Sequence, residues 1–160
     1  MAISVGDKIP SVTIKTMADG QMKDITTDEI FGGKKVVLFA VPGAFTPTCS
    51  MQHLPGYITH AAAIKAKGVD TIACVSVNDA FVMDAWGKDR GAGDDVLMLA
   101  DGNADLAKAL GLDFDGSGIG FGIRAQRFAL VAENGVVTGL HVEEPMKFEV
   151  SSAEAVLATL

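Results

Sequence analysis

The chain has 160 residues, 49% of them hydrophobic and 21% charged, and a formal net charge of −7. That length suits one domain, residues 1–160, around a single core, and the composition excludes a disordered chain. The acidic balance argues against nucleic-acid and anionic-membrane partners, and every apolar run stops well short of the ~18 residues of a membrane span.

The opening MAISVGDKIPSV lacks a basic region followed by an apolar core, so it does not read as a signal peptide. SVTIKTM, from Ser11, alternates apolar and polar residues and predicts a half-exposed strand. Ile25 to Lys35 is polar and reads as a short helical turn and a loop. Val36 to Val41 is an unbroken apolar run ended by Pro42-Gly43, the pattern of a buried central strand. A helix follows, with Thr46 as its cap, Pro47 at the first helical position and Gly68 as the stop after Lys67. Pro55-Gly56 inside it predicts a kink or a break.

Val69 to Val77 reads as a second buried strand, and Asn78 or Asp79 can cap the helix AFVMDAWGKD. Val96 to Ala100 is a third strand, and NADLAKALG is a short helix closed by Gly111. DFDGSGIGFG is a Gly-rich loop without the Gly-Lys-Ser/Thr ending of a phosphate loop. Asn134-Gly135 then joins two strands as a two-residue hairpin, and SSAEAVLATL is a terminal amphipathic helix capped by Ser151 or Ser152. The order describes an α/β domain with a parallel core, an appended antiparallel hairpin and helices on both faces.

Ligand chemistry in such domains sits beyond the carboxyl ends of the central strands. Cys49 lies there, in PGAFTPTCS, about three positions into a capped helix. Unpaired backbone N–H groups and the positive end of the helix dipole both stabilise a thiolate at that place. The competing reading of Cys49 is a small apolar filler. Thr46 stands where a dithiol oxidoreductase carries the first cysteine of Cys-x-x-Cys, so a local disulfide cannot form. Its hydroxyl can instead bond to the sulfur or to an oxygen bound beside it.

Pro42-x-x-x-Thr46-x-x-Cys49 resembles the active-site motif of the peroxiredoxins, thiol peroxidases of thioredoxin-like fold. The blocks HLPGY, VSVNDAFVMDAWGK and RAQRFAL follow in the order of the type II or type five subfamily, so the resemblance spans nearly the whole chain. It implies a central mixed sheet flanked by helices, with a C-terminal β-hairpin and helix. The implied activity is reduction of hydrogen peroxide and alkyl hydroperoxides, with no metal or organic cofactor because sulfur carries the redox change. Cys49 would be the peroxidatic cysteine, Thr46 would hold the peroxide, Pro42 would shield the sulfenic acid, and Arg124 would complete the site. Arg127 is the competing arginine, read as a surface ion-pairing residue.

Cys74 has two readings, a core thiol and a resolving cysteine. The family's C-terminal resolving cysteine has no counterpart in HVEEPMKFEVSSAEAVLATL, so the chain looks more like members recycled by glutathione or glutaredoxin; thioredoxin is the other candidate reductant. His53, four residues after Cys49, could share a helical face with it as in a thiol hydrolase; the alternative is a histidine on the outer helix face or near Pro55. His60 and His141 lack metal-ligand spacing. Trp86 and the methionines read as packing residues, with Phe81 and Met83 candidates for a dimer surface. Relatives imply a homodimer, and two cysteines without a signal peptide point to a reducing compartment, the cytoplasm. A thiol–disulfide or glutathione-transfer enzyme and a non-enzymatic peroxide sensor are the rival functions.

Overall fold

Three apolar runs make the centre of the sheet. In the computed structural model, which describes all 160 residues, they are β3 (Lys35–Ala40), β4 (Thr71–Ser76) and β5 (Leu97–Ala100). They pair in parallel, β4 between the other two. Antiparallel strands close both sides: β1 (Thr13–Ala18) and β2 (Gln21–Thr26) beyond β5, and β8 (Phe128–Glu133) and β9 (Val136–Val142) beyond β3. The seven-stranded order is β2-β1-β5-β4-β3-β8-β9. A mixed sheet of this kind, covered by helices, is the thioredoxin-like α/β class.

Strand alternation divides the core in two. Val36, Leu38 and Ala40 of β3 face one side, with Phe128, Leu130 and Ala132 of β8. Helices α1 (Thr27–Phe31) and α4 (Asp105–Leu110) supply Ile30, Phe31, Leu106 and Leu110 to that layer. Val37, Phe39 and Val41 face the other side, with Cys74 of β4 and Ala129 and Val131 of β8. There the cover comes from α2 (Leu54–Lys65), α3 (Ala80–Arg90) and α5 (Ala153–Leu157). Because both faces are covered, β3 is apolar from Val36 to Ala40 and β4 from Ile72 to Val75 rather than alternating.

Local chemistry sets the element ends. Asp79 accepts a hydrogen bond from the Val82 N–H, and Ser152 from the Ala155 N–H, so each caps its helix. Asn134 and Gly135 hold φ of 48° and 77°, the double positive φ of a tight hairpin turn.

Three segments differ from the sequence reading. Ile25 and Thr26, read as the start of a turn and loop, instead end a strand, Gln21–Thr26, that is exposed along most of its length and gets its order from pairing with β1 rather than from burial. The Gly-rich segment is not a free loop: β6 (Asp113–Asp115) and β7 (Ile123–Ala125) pair across it as a small second sheet. The helix does not break at Pro55-Gly56. A π-helical turn, Cys49–His53, runs directly into α2, with the Leu54 N–H bonded to the Cys49 carbonyl. The wider turn accommodates a proline that cannot donate and whose ring crowds the preceding turn.

Gly111 ends α4 at φ +70°, and a Cβ there would lie 2.4 Å from the Met1 carbonyl oxygen. Gly111→Ala is therefore expected to lower the unfolding free energy by roughly 1–3 kcal/mol, the cost of a side chain in a left-handed position. Urea unfolding of the two proteins measures it.

Candidate active site

Cys49 follows the carboxyl end of β3, after the loop Pro42–Thr46. Thr46 is the first residue to accept a helical bond, from the Ser50 N–H at 2.9 Å. Its hydroxyl does not cap a backbone N–H; it donates to the Gly43 carbonyl at 2.7 Å, which leaves its lone pairs open to accept. Two contacts pin the loop. Asn78 Oδ1 accepts from the Ala44 N–H at 3.0 Å, and Arg124 Nη1 donates to the Pro42 carbonyl at 3.1 Å. A Cβ on Gly43 would lie 2.9 Å from Arg124 Nη1 and 3.0 Å from Thr46 Cγ2, so the loop tolerates only glycine there without a shift. Phe45 completes the turn at φ 64°, a strained conformation for an aromatic residue and one found at functional sites.

The thiol is fully buried, and its side-chain partner is a guanidinium. Arg127 Nη2 donates to Cys49 Sγ at 3.1 Å. The other terminal nitrogen, Nη1, lies 2.9 Å from His53 Nδ1. A guanidinium only donates, so Nδ1 must accept and the proton sits on Nε2, which donates to the Ser151 carbonyl at 3.0 Å. Tyr57 Oη donates to the same carbonyl at 2.7 Å. Glu143 holds the Ser151 segment in place: its Oε2 accepts from the Glu149 and Ser151 N–H groups and from the Ser151 hydroxyl at 2.7–2.8 Å. Partial burial raises the Glu143 carboxyl, but these bonds outweigh it and hold the group below its ordinary value.

Register explains how Arg127 reaches the sulfur. Phe128 of β8 pairs with Ala40 of β3, so the residue before β8 lies beside the end of β3. Arg127 has the same alternation parity as Ala129 and Val131, which face the Cys49 side of the sheet. No carboxylate forms an ion pair with it. The cation therefore stays available to a thiolate, at the start of a helix whose first N–H groups have no helical acceptor.

The redoxin family model matches residues 4–157. Peroxiredoxin-2D of Arabidopsis thaliana is 48% identical, over 99% of this chain and 98% of that protein. Peroxiredoxin-2E-2, chloroplastic, of Oryza sativa subsp. japonica is 55% identical, over 99% of this chain and 72% of that protein. The chain belongs to the peroxiredoxin family. A crystal structure of reduced Prx3 in complex with h2o2 from Vibrio vulnificus superposes on this peroxiredoxin with a TM-score of 0.94, at 57% identity and 98% coverage of both chains.

Pro42, Thr46 and Cys49 follow one another along the segment that leads from the end of β3 into the π-helical turn. The structure places Arg127, not Arg124, against the sulfur, which corrects the reading of RAQR. Arg124 lies on β7 and spends its donors on the Pro42 and Phe121 carbonyls. Arg127 is likewise no surface ion-pairing residue. His53 sits on neither the outer helix face nor an open Cys–His pair; it is fully buried among Phe39, Tyr57 and Phe148. Cys74 is a buried thiol raised well above its ordinary value, first by burial and then by Cys49. Met83 is buried in the core and drops out as a surface candidate, whereas Phe81 is 60% exposed. Trp86 packs as expected and donates to Ser50 Oγ at 2.8 Å, next to the thiol. No helix is long and apolar enough to cross a membrane.

Burial, and then the Arg127 charge, lowers His53 from 6.5 to about 3. The unfolded chain binds a proton there near 6.5 while the folded protein refuses it until about 3. Stability is thus complete above 6.5 and falls as pH drops toward 3. The expected slope is up to about 1.4 kcal/mol per pH unit. Urea unfolding across that window should show the acid-side loss in the parent and a shallower one in His53→Asn, which has nothing to titrate.

Proposed function

We propose that this thiol peroxidase works through Cys49 as the peroxide-attacking residue, with Arg127 as its charge partner. The observation that carries the assignment is the 3.1 Å contact from the Arg127 guanidinium to a sulfur in the first turn of a helix. The thiolate attacks one peroxide oxygen: the S–O bond forms, the O–O bond breaks, and the electron pair leaves on the second oxygen. That oxygen takes a proton and departs as water or an alcohol. Sulfur loses two electrons and becomes a sulfenic acid. An Arg fork beside the sulfur stabilises the thiolate and the charge that moves onto oxygen.

Thr46 fits a role on the peroxide itself. With its proton on the Gly43 carbonyl, its oxygen can accept from the peroxide O–H. Pro42, half-buried just after β3, suits a role in limiting water at the sulfenic acid. Arg124 sets the position of that proline through its carbonyl.

The second half-reaction needs external thiols. One thiol attacks the sulfenic sulfur and releases water, giving a mixed disulfide; a second thiol displaces Cys49 and leaves as the disulfide of the reductant. Glutathione with glutaredoxin fits best, because Cys74 is fully buried and held as a thiol, which suits a core residue better than a resolving one. Thioredoxin is the alternative donor. A reducing compartment such as the cytoplasm suits two free cysteines and a thiol donor. Residues 1–160 act as one domain in this reading. Phe45 in the loop before Cys49 and Phe81 in the first turn of α3, 51% and 60% exposed, suit the face of a homodimer.

Cys49→Ser should abolish peroxide turnover, and Cys74→Ser should keep most of it when glutathione and glutaredoxin are supplied. A coupled peroxide-consumption assay reads both, and equal loss in the two variants would make Cys74 the resolving cysteine. Arg127→Ala should slow sulfenic acid formation by about 10²–10³, the cost of removing one preorganised donor. Arg124→Ala acts only through the loop and should cost less in the same stopped-flow measurement; the reverse order would return the charge role to Arg124.

A further inference from the structure

Arg127 presents two terminal nitrogens, and only one touches sulfur. The other meets His53 Nδ1 at 2.9 Å. A carboxylate is the strong way to steer an arginine, since it accepts the guanidinium fork with two parallel bonds. A carboxylate here would also cancel much of the positive charge that the thiolate needs. A neutral imidazole acceptor fixes the same nitrogen and leaves the charge intact.

We propose that His53 is the positioning residue of the reaction, holding the Arg127 guanidinium on Cys49 as an uncharged acceptor. The proposal rests on the reading of Cys49 as the reacting thiol. Its tautomer is dictated from the far side, where Nε2–H donates to the Ser151 carbonyl at 3.0 Å. With that proton committed, Nδ1 can only accept. Three aromatic rings lock the imidazole plane: Phe39 at 4.9 Å, Phe148 at 5.0 Å and Tyr57 at 5.6 Å between centroids. Phe148 also lies 5.9 Å from the guanidinium carbon, so one ring borders both members of the pair. The titratable groups around His53 are Arg127, Tyr57, Cys49 and, through Ser151, Glu143. Burial and the Arg127 charge keep the imidazole unprotonated well below neutral pH, so the acceptor persists throughout the working range.

The test is stopped-flow oxidation by hydrogen peroxide of the parent, Cys49→Ser and three His53 variants, from about pH 5 to pH 9, with circular dichroism and urea unfolding to confirm folding. Asparagine can place an amide oxygen where Nδ1 was, but is too short to reach Ser151. Glutamine keeps the reach to Ser151 and loses the acceptor at the Nδ1 place. Aspartate keeps an acceptor and adds a negative charge.

His53→Asn should oxidise within about three-fold of the parent, and His53→Gln at least about ten-fold more slowly, the rate equivalent of one hydrogen bond to a charged group. His53→Asp should also slow by about ten-fold or more, with its rate-against-pH curve displaced to higher pH than that of His53→Asn, because the added carboxylate opposes thiolate formation. A purely structural role would not separate Asn from Asp in this way. A folded His53→Gln with the parent's rate, or Asn and Asp variants that share one rate and one pH curve, would overturn the proposal. A parent no faster than Cys49→Ser would overturn it too, together with the reading of Cys49.

Discussion

A guanidinium 3.1 Å from a buried sulfur is the contact around which this peroxiredoxin is arranged. A thiolate out of water is costly unless a charge or hydrogen bonds compensate it. Cys49 has no exposure, so compensation must come from the protein. The start of a helix contributes dipole and free N–H groups, but these act on any residue in the first turn. Arg127 adds a directed charge, and direction is what an in-line displacement at oxygen requires.

Directed charge has to be held by something, and the support runs outward in layers. His53 fixes the guanidinium, the Ser151 carbonyl fixes His53, and Glu143 fixes the Ser151 segment. Each layer comes from a different part of the chain: the π-helical turn, the loop before α5 and the end of β9. The site therefore depends on the C-terminal residues as much as on the motif around Cys49. Glu143 illustrates the economy of the arrangement: one carboxylate oxygen accepts three donors and shapes a whole loop.

The π-helical turn has two consequences at once. It lets the helix pass Pro55 without breaking, and it includes both Cys49 and His53. A wider turn alters the angular spacing between residues along the axis, so the two side chains do not keep ordinary helical geometry. Both contact one arginine from β8's entrance instead of each other.

Much of this was legible in the chain. Apolar runs found β3, β4 and β5, because a strand covered on both faces leaves no polar alternation. Asn134-Gly135 marked the hairpin, and Pro47 the helix start, because φ preferences act within a residue or two; the expected Thr46 cap does not form, since its hydroxyl turns to the Gly43 carbonyl. Cys49 stood out for the same local reason. The choice between Arg124 and Arg127 was different. They lie three residues apart, and which one meets the sulfur depends on the antiparallel register of β8 against β3 and on which face α2 covers. The roles of His53, Ser151 and Glu143 were hidden likewise, since their partners are 8 to 98 residues away in sequence. Local preferences determined most of the elements and singled out Cys49; only long-range pairing decided what surrounds it, because those contacts exist only once the sheet has set its register.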